Sequence, residues 1–517
     1  MQKCSICRSK KKIVVCPIES IVEMSDKITD KGNLYLYSVS LVASVGGLLY
    51  GYSIGNVPQI LNLDAFGLAF GYKFVNGSTV QPCLNEDQAI SCEFAMSDIT
   101  GWIAFSFLLG AVLSSALSSV LCDCIGRKWS ILVAAVLYAV GSGMHLVLPN
   151  ITAFFCGRAF LGFAVGIFTV VVPMYLSEIS PVSIRGSITA MFNAMMAIGL
   201  LMSSVVNAAI ILSLGVRSDD IWHLSFVVQT LPAVLLCIAI PFLPYSPRWL
   251  ANIGREDLAM NSLAQLRRQP LHSDSIRNEF NELNSHQIQV TTIEQAEDMH
   301  WRDLLKVGII YRLFIVIVLQ FFQVATGANA ILFYETTLYQ SLGFSETGKQ
   351  LATVLMNGMD VLGAIPAVFL IERVGRKALL VYGSVMMLIC HVFITAFGLN
   401  STANLVFGWL AVAFIAIFYI SYNLSWGPIV WTYQSEIFPY TVKSKAIAIG
   451  TVANWGFNAV FAKLQPILID DIGFWTFAMY AGFCLLMGIF CACRIIETRN
   501  KTLDEIDELF KASSGGR

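Results

Sequence analysis

The sequence DCIGRK at residues 123–128 recurs as ERVGRK at residues 372–377. A second motif behaves in the same way, because SEISP at residues 177–181 recurs as SEIFP at residues 435–439. Each second copy follows the first by about 250 residues, and two unrelated motifs repeated at nearly one offset indicate a duplicated unit. We therefore predict two halves of similar structure, related as parallel repeats.

The composition separates this chain from water-soluble proteins. Of its 517 residues, 56% are hydrophobic and only 13% are charged. The mean hydropathy is +0.68. These values are typical of an integral membrane protein, so the lipid bilayer is the expected surrounding. The net charge of -1 leaves no domain-wide basic face, and we expect no nucleic-acid partner.

Long apolar segments predict how the chain crosses the membrane. A crossing takes about 20 apolar residues, and the sequence predicts twelve crossings in two groups of six. They lie near residues 34–56, 97–121, 129–148, 151–175, 187–213, 222–243, 306–340, 349–371, 377–398, 403–432, 444–469 and 472–495. We predict an all-α integral membrane fold with two pseudo-symmetric six-helix halves, at residues 34–243 and 306–496. Residues 244–305 form a polar loop with short amphipathic helices, between terminal tails at 1–33 and 497–517.

Basic residues in the short loops predict the orientation. Lysines and arginines such as Arg127, Arg376 and Lys443 fall on the side that holds both termini. The positive-inside rule places that side in the cytoplasm. The polar N-terminal segment has no apolar core of a cleavable signal peptide. We expect a multi-pass protein of the plasma membrane with both termini cytoplasmic.

The first long loop, residues 57–96, is expected to lie outside the cell. It contains a glycosylation sequon at Asn76, and Cys83 and Cys92 flank a polar stretch within it. We predict that Asn76 is glycosylated and that the two cysteines form a disulfide. The C-x-x-C sequence at residues 4–7 has no second pair at zinc-ligand spacing, so we expect no metal site.

One predicted span is unusually polar. Residues 320–335 read QFFQVATGANAILFYE and include Gln320, Gln323 and Asn329. A bilayer offers no water to amides, so such side chains persist only against protein or a water-filled cavity. Small residues at 326–328 could break the helix and turn Asn329 toward the same cavity as the glutamines. We interpret the stretch as half of a solute-binding site. The alternative is a polar helix–helix seam with small residues for close packing.

Two later spans carry side chains that suit a neutral polyol. Asn454 and Asn458 are four residues apart and share a helical face, and their amides offer both donors and acceptors. Trp431 follows Gly427 and Pro428 and could stack on the apolar face of a sugar ring. The alternative for Trp431 is an anchor in the aromatic belt at the membrane interface.

The repeated charged motifs combine acids with cations at the inner surface. We predict that they form a network that holds the two halves together while the cavity faces outward, so that breaking it favours the inward-open state. Its members are Asp123, Arg127, Glu178, Arg185, Glu372, Arg376, Glu436 and Lys443. The alternative, simple topology signals, explains the cations but not the repeated acids.

Further motifs accompany these in a definite order. They are CGRAFLG at 156–162, PMYLSEISPVSIRG at 173–186, PYSPRW at 244–249, WGPIVW at 426–431, NWGFN at 454–458 and ETRNKTLDE at 497–505. Together with the charged clusters and the Gln320 stretch, they resemble the sugar porter family of the major facilitator superfamily. The resemblance runs from about Ser38 to Glu505.

The resemblance implies a hexose site built by the C-terminal half and the fifth helix. Matching positions are Gln320, Gln323, Asn329, Trp431, Asn454 and Asn458, while Asn193 and Asn423 stand where relatives often carry Gln and Glu. It also implies an inner gate at Gly427 and Pro428 and an outer gate at Phe333 and Tyr334. Departures at Val324, Tyr245 and Ile496 bear on sugar preference and not on the fold.

These features predict a facilitative transporter that moves a hexose, with glucose as the expected sugar, by alternating access. The sequence contains no phosphate-binding loop and no nucleophile–base arrangement, so we expect neither an enzyme nor a cofactor. Fructose, inositol and other polyols are alternative substrates. A non-transporting sugar sensor is an alternative of another class. The sequence leaves the oligomeric state open.

Proton coupling depends on titratable residues within the spans. Proton-coupled relatives carry an Asp in a Gly-Tyr-Asp motif of the first helix, and the corresponding residue here is Ser53. We therefore predict uniport. The alternative is a proton-coupled symporter that uses Asp360, an acid at midplane depth in the eighth span. Lys463 could instead neutralise Asp360 in a structural ion pair.

Overall fold

The computed structural model describes most of the chain. The described residues are 33–61, 72–75, 79–82, 96–147, 151–214, 220–281, 304–328, 331, 339, 346–401, 404–439 and 442–514. The predictions for Asn76, Cys83, Cys92, Asn329, Phe333 and Tyr334 concern residues outside these ranges. They stay predictions.

The N-terminal half consists of five long helices, one of which contains two spans. They are α1 (Leu34–Leu61), α2 (Met96–Val147), α3 (Ile151–Ile179), α4 (Arg185–Leu214) and α5 (Asp220–Ala239). Helix α2 changes direction at Gly126, where φ is 80° and ψ is 167°. A Cβ atom at Gly126 would lie 3.0 Å from the ring of Trp249. The turn within DCIGRK therefore requires glycine, both for its backbone angles and for its space.

A short β-hairpin lies between α1 and α2. Strand β1 (Tyr72–Val75) pairs antiparallel with β2 (Thr79–Pro82), with Tyr72 opposite Pro82. The sequence analysis predicted no strand here. Two strands of this length are marginal as an independent unit, so the hairpin is a feature of the loop and leaves the helical fold class unchanged.

Short helices join the halves, and the second half repeats the pattern of the first. The connecting helices are α6 (Pro247–Asn252) and α7 (Glu256–Arg267). The second half contains α8 (Val307–Val324), α9 (Glu346–Val374), α10 (Arg376–Leu399), α11 (Leu405–Leu424), α12 (Trp426–Glu436), α13 (Lys443–Ile472) and α14 (Trp475–Arg494), and α15 (Leu503–Ser514) follows it. Gly375 precedes α10 with φ of 97° and ψ of 164°. The two copies of the charged motif thus make the same turn.

Hydropathy and exposure show which surfaces meet lipid. Within the described residues, nine helices are long and apolar enough to cross a membrane, and the stretch Trp102–Leu146 counts among them as one although it turns at Gly126. Large apolar side chains such as Leu231, Leu362 and Phe369 stay about 60% exposed. In water this surface would drive aggregation, whereas in a bilayer it is the ordinary outer face of a span.

The halves meet along two symmetric seams. Helix α13 packs on α2, and α9 packs on α4. Within the N-terminal half, α1 and α4 approach closely at small residues: a Cβ atom on Gly51 would lie 1.9 Å from the Met196 carbonyl oxygen. Such close backbone contact is the usual way in which helices gain packing energy where no hydrophobic effect operates between them.

Candidate functional site

Two breaks in the helices of the second half face each other. Helix α8 ends at Val324, and Gly327 adopts φ of 81° at a point where a Cβ atom would lie 2.7 Å from the Tyr480 ring. The second break separates α11 from α12 at Ser425, which has φ of -130° and ψ of -83°. The sequence analysis placed these breaks at residues 326–328 and beside Gly427 and Pro428; the latter two lie in the first turn of α12. Each break leaves backbone groups without helical partners.

Side chains hydrogen-bond to backbone carbonyl groups at both breaks. The Gln323 Nε2 atom donates to the carbonyl oxygens of Trp426 at 3.0 Å and Gly427 at 3.3 Å. The Nε2 atom of His391 lies 2.7 Å from the carbonyl oxygen of Thr326. Because buried carbonyl groups need partners, these contacts hold both breaks in place and fix the Gln323 amide at their junction.

A chain of amides continues from Gln323. The Asn454 Nδ2 atom donates to Gln320 Oε1 at 2.8 Å and to Gln323 Oε1 at 2.9 Å. Gln320 donates in turn to Gln434 Oε1 at 2.7 Å, and Asn458 Nδ2 donates to Asn454 Oδ1 at 3.0 Å. The helices α8, α12 and α13 are therefore joined by one polar network inside an apolar bundle.

A cavity of about 120 Å³ opens beside this network. Its wall comes from both halves, since α1 and α4 contribute as well as α8, α9, α11, α12 and α13. The polar and aromatic lining residues are Tyr50, Asn193, Gln323, Asp360, Tyr419, Tyr422, Asn423, Trp431, Asn454 and Asn458. Amides and tyrosines supply neutral donors and acceptors, and the Trp431 ring supplies a flat apolar face. The arrangement suits a small, neutral solute with many hydroxyl groups.

The predicted solute contacts divide into two groups. Asn193, Gln323, Asn423, Trp431, Asn454 and Asn458 line the cavity. Gln320 does not line it and is fully buried behind the wall, where its carbonyl oxygen receives the Asn454 amide. Gln320 therefore orients Asn454 rather than facing the cavity. Trp431 is only 8% exposed and belongs to the cavity wall, so the interfacial-belt alternative is wrong for this residue.

Three tyrosines of the wall were missed in the sequence. Tyr419 and Tyr422 lie three residues apart on α11 and share a face with Asn423, while Tyr50 lies on α1 directly before Gly51. The spacing was a usable signal, because positions i, i+3 and i+4 of a helix point the same way. The high apolar content of the span concealed it.

The family model described as "Sugar (and other) transporter" matches residues 39–510 of this chain. The chain belongs to the sugar porter family of the major facilitator superfamily. Sequence relatives agree with this assignment. The probable metabolite transport protein CsbC of Bacillus subtilis is 29% identical over 92% of this chain and 94% of its own length. The probable glucose transporter rco-3 of Neurospora crassa is 28% identical over 92% of this chain and 79% of its own length.

A solved structure shows that this sugar porter has the family fold. The proton:xylose symporter XylE bound to 6-bromo-6-deoxy-D-glucose superimposes with a TM-score of 0.78 at 24% identity, over 93% of this chain and all of that one. The predicted major facilitator fold is thereby confirmed. At this identity the likeness concerns the fold alone.

The repeated charged motifs of this sugar porter gather at one end of the bundle, which we call the charged end. Arg127 Nη2 lies 3.0 Å from Glu178 Oε1. In the second half, Arg376 Nη2 lies 2.7 Å from Glu436 Oε1, and its Nη1 lies 2.8 Å from Glu372 Oε2. The two halves thus hold equivalent arginine–glutamate pairs. All three glutamate–arginine contacts are buried or nearly buried. Loss of one partner would therefore leave an uncompensated charge.

Other contacts at the charged end cross between the halves. Ser444 Oγ donates to Asp123 Oδ2 at 2.8 Å, and Lys443 Nζ donates to Ser177 Oγ at 2.9 Å. The Gly186 backbone N–H donates to Glu372 Oε1 at 2.6 Å. These bonds close the charged end by tying α13 to α2 and α3, and α4 to α9.

Two members of the predicted network differ from expectation. Arg185 is buried but forms no ion pair with any residue in the described ranges; its neighbour Gly186 makes the contact to Glu372 instead. Lys443 likewise contacts a hydroxyl group rather than a carboxylate within the described part of the chain. Both side chains nevertheless interact electrostatically with acids of the network, Arg185 with Glu436 and Glu372 and Lys443 with Glu178. They lie in the predicted network without a direct ion pair among the described residues.

An arginine of α3, Arg158, contacts the first-helix position at which a proton carrier was considered. Arg158 Nη1 donates to Ser53 Oγ at 3.2 Å and to the Ser53 carbonyl oxygen at 3.3 Å. The guanidinium carbon lies 4.5 Å from the centre of the Phe107 ring. Arg158 is thus held by neutral groups, through hydrogen bonds and a cation–π contact.

The structure does not contain the ion pair that was considered for Asp360 and Lys463. Its carboxylate is 4% exposed and accepts a hydrogen bond from Asn423 Nδ2. Lys463 is exposed on α13 and does not reach it. Among the described residues, no cation pairs with Asp360. The proposed Asp360–Lys463 pair is therefore wrong, and the acid lies in the cavity wall beside the Asn423 amide and near Tyr422.

Proposed function

We propose that this sugar porter is a facilitative hexose transporter, with glucose preferred among the neutral hexoses, that works by alternating access. The observation that carries the proposal is the cavity between the halves, which is lined by the amides of Gln323, Asn454 and Asn458 and by the Trp431 ring. Neutral donors and acceptors match the hydroxyl groups of a hexose without the cost of burying charge against it. The name of the Neurospora relative, a probable glucose transporter, supports the choice of sugar.

Alternating access needs one end of the bundle to close while the other opens. The hydrogen bonds between the halves at the charged end support a closed state there, in which the site is reached from the opposite end. The break at Ser425, with Gly427 and Pro428 in the following turn, is a natural pivot for an inner gate. Phe333 and Tyr334, outside the described residues, remain the proposed outer gate.

The membrane orientation follows from the same charges. We place the charged end and both termini in the cytoplasm, because lysine and arginine concentrate there. The loop that contains Asn76, Cys83 and Cys92 then lies outside, with a glycan and a disulfide proposed for it. The plasma membrane is the proposed location.

Transport without protons is the proposed mode. The first-helix position holds Ser53, which does not titrate in the physiological range, and Arg158 already donates to it. One observation favours the second candidate, proton symport: Asp360 is a buried acid in the cavity wall without a cationic partner among the described residues. A proton could supply the missing positive charge.

Uptake by the purified full-length protein in proteoliposomes tests this proposal. We expect saturable entry of labelled glucose, slower entry of fructose and inositol, and no accumulation above equilibrium when a pH gradient is imposed. Absence of uptake for every hexose would overturn the hexose assignment. Gradient-driven accumulation that Asp360→Asn abolishes would overturn uniport and make Asp360 the proton carrier.

A further inference from the structure

The cavity wall has one acidic side chain among its described residues, Asp360. Its other polar members are amides and tyrosines, together with Trp431, and none of these is charged near neutral pH. Asp360 therefore sets the electrostatic character of the cavity. Its side chain is almost fully buried, so water screens this charge far less than it would at a protein surface.

The hydrogen bonds around Asp360 leave part of the carboxylate free. Asn193 Nδ2 donates to Asn423 Oδ1 at 3.2 Å, and Asn423 Nδ2 donates to Asp360 Oδ1. The same Asn423 nitrogen lies 3.3 Å from the carbonyl oxygen of Tyr419. No described residue donates to Oδ2 of Asp360. An ionised carboxylate accepts several hydrogen bonds, so one oxygen remains available to a solute in the cavity.

The neighbouring helices offer no positive charge to this acid. Asp360 lies on α9, which packs against α4 and α11. The described cavity residues of α1, α4, α8, α11, α12 and α13 include no Lys, Arg or His. Arg158 is engaged with Ser53, and Lys463 is exposed. A buried carboxylate without a cation is costly, so a positive charge from elsewhere would lower the free energy of the occupied site.

We propose that Asp360 makes this cavity selective for an amino sugar, in which a protonated amine replaces one hydroxyl group of a hexose. The proposal rests on the proposed function, because it takes the same sugar ring into the same cavity. Gln323, Asn454 and Trp431 hold the polyol frame from α8, α13 and α12, and Asp360 receives the ammonium group from α9. An ammonium group supplies three donors and the missing charge, and charge-assisted hydrogen bonds are about twice as strong as neutral ones.

Competition against labelled glucose uptake in proteoliposomes tests the proposal. Glucosamine is the cationic probe, and N-acetylglucosamine carries a neutral amide at the same carbon. At about pH 6, where an aliphatic amine of this kind is protonated, we expect glucosamine to compete on the order of tenfold better than glucose. N-acetylglucosamine should compete no better than glucose. The glucosamine preference should disappear at about pH 9, where the amine is neutral.

Two variants separate charge from shape. Asp360→Asn keeps the side-chain shape and should remove the preference for glucosamine, which is measured within each variant as the ratio of the inhibition constants of glucosamine and glucose. Asp360→Glu keeps the charge and should retain a preference. Lys463→Gln is the matched control, since it removes an exposed charge on α13 outside the cavity wall. It should leave competition by glucosamine and by glucose unchanged.

The outcomes distinguish this inference from the proposed function. Equal competition by glucosamine in the wild type and in Asp360→Asn would overturn the inference and leave glucose transport standing. Loss of gradient-driven accumulation in Asp360→Asn, with the sugar preference unchanged, would show that a proton neutralises the acid, and would also overturn it. If no hexose is transported, the melting temperature of the purified protein with and without glucosamine tests the inference instead. Glucosamine should raise the melting temperature of the wild type and should not raise that of Asp360→Asn.

Discussion

The Gln323 amide nitrogen lies 3.0 Å from the main-chain carbonyl oxygen of Trp426. This single bond joins the broken end of α8 to the break between α11 and α12, and the same side chain accepts from Asn454. Gln323 is therefore both part of the cavity wall and a tie between the two helix breaks. Changes at this residue should affect sugar affinity and gating together.

We expect Gln323→Ala to weaken sugar binding by about 1–3 kcal/mol, because it removes the bonds to the Trp426 and Gly427 carbonyl oxygens and one of the two acceptors of the Asn454 amide. The KM for glucose and the dissociation constant of the purified protein should both rise. Gln265→Ala removes an exposed glutamine that donates to Tyr35 on the far side of the molecule, and it serves as the control. An unchanged dissociation constant in Gln323→Ala would show that α8 is not the binding wall.

Gln320 provides a more specific prediction. Gln320→Ala should also weaken binding, by about 1 kcal/mol, since it releases the Asn454 amide without removing a cavity residue. The double variant Gln320→Ala/Asn454→Ala should then bind no more weakly than Asn454→Ala alone, because residues of one network are not additive. Fully additive losses in this double-mutant cycle would mean that Gln320 contacts the sugar itself.

Gly327→Ala should impair both stability and transport. Alanine is strained by about 1–2 kcal/mol in the left-handed region, and its Cβ atom would lie 2.7 Å from the Tyr480 ring. We expect a lower melting temperature and a lower maximal rate. Gly482→Ala is the matched control, because φ is not positive there and no atom lies within 4 Å of the added Cβ. Equal effects of the two substitutions would contradict a specific role for the break.

The charged end should control the balance between the two faces of the cycle. Glu372→Gln removes the ion pair with Arg376 and weakens the bond from the Gly186 N–H, so we expect the charged end to open more often. The maximal transport rate should fall by about tenfold while the sugar dissociation constant changes little. Spin labels placed on exposed positions of α2 and α13 should report a larger separation at that end. An unaltered distance distribution would argue that the pair serves topology only.

The proposed outer-loop disulfide has a direct test. Mass spectrometry of the non-reduced protein should detect a peptide pair linked through Cys83 and Cys92, since an extracellular location favours oxidation. Cys237→Ser is a suitable control, because that residue lies within α5 and is a free thiol. Two alkylated, unlinked thiols at positions 83 and 92 would remove the claim.

The sequence by itself determined the fold. The repeated turns at Gly126 and Gly375 depend on local backbone geometry, and the spans depend on local hydropathy, so both could be predicted from short stretches. The break in α8 was likewise predictable, because three small residues interrupt an apolar helix beside polar ones. The family motifs then fixed the order of the helices.

Only the tertiary structure decided which side chains meet. Gln320 and Gln323 share one helical face, yet only Gln323 reaches the cavity, because Gln434 and Asn454 from other helices enclose Gln320. Asp360 and Lys463 have opposite charges, but Asp360 is buried in the cavity wall and Lys463 is exposed on α13, so they do not pair. Pairing of this kind depends on the relative rotation of helices distant in sequence. Sequence periodicity fixes the face of one helix and carries no information about the face opposite it.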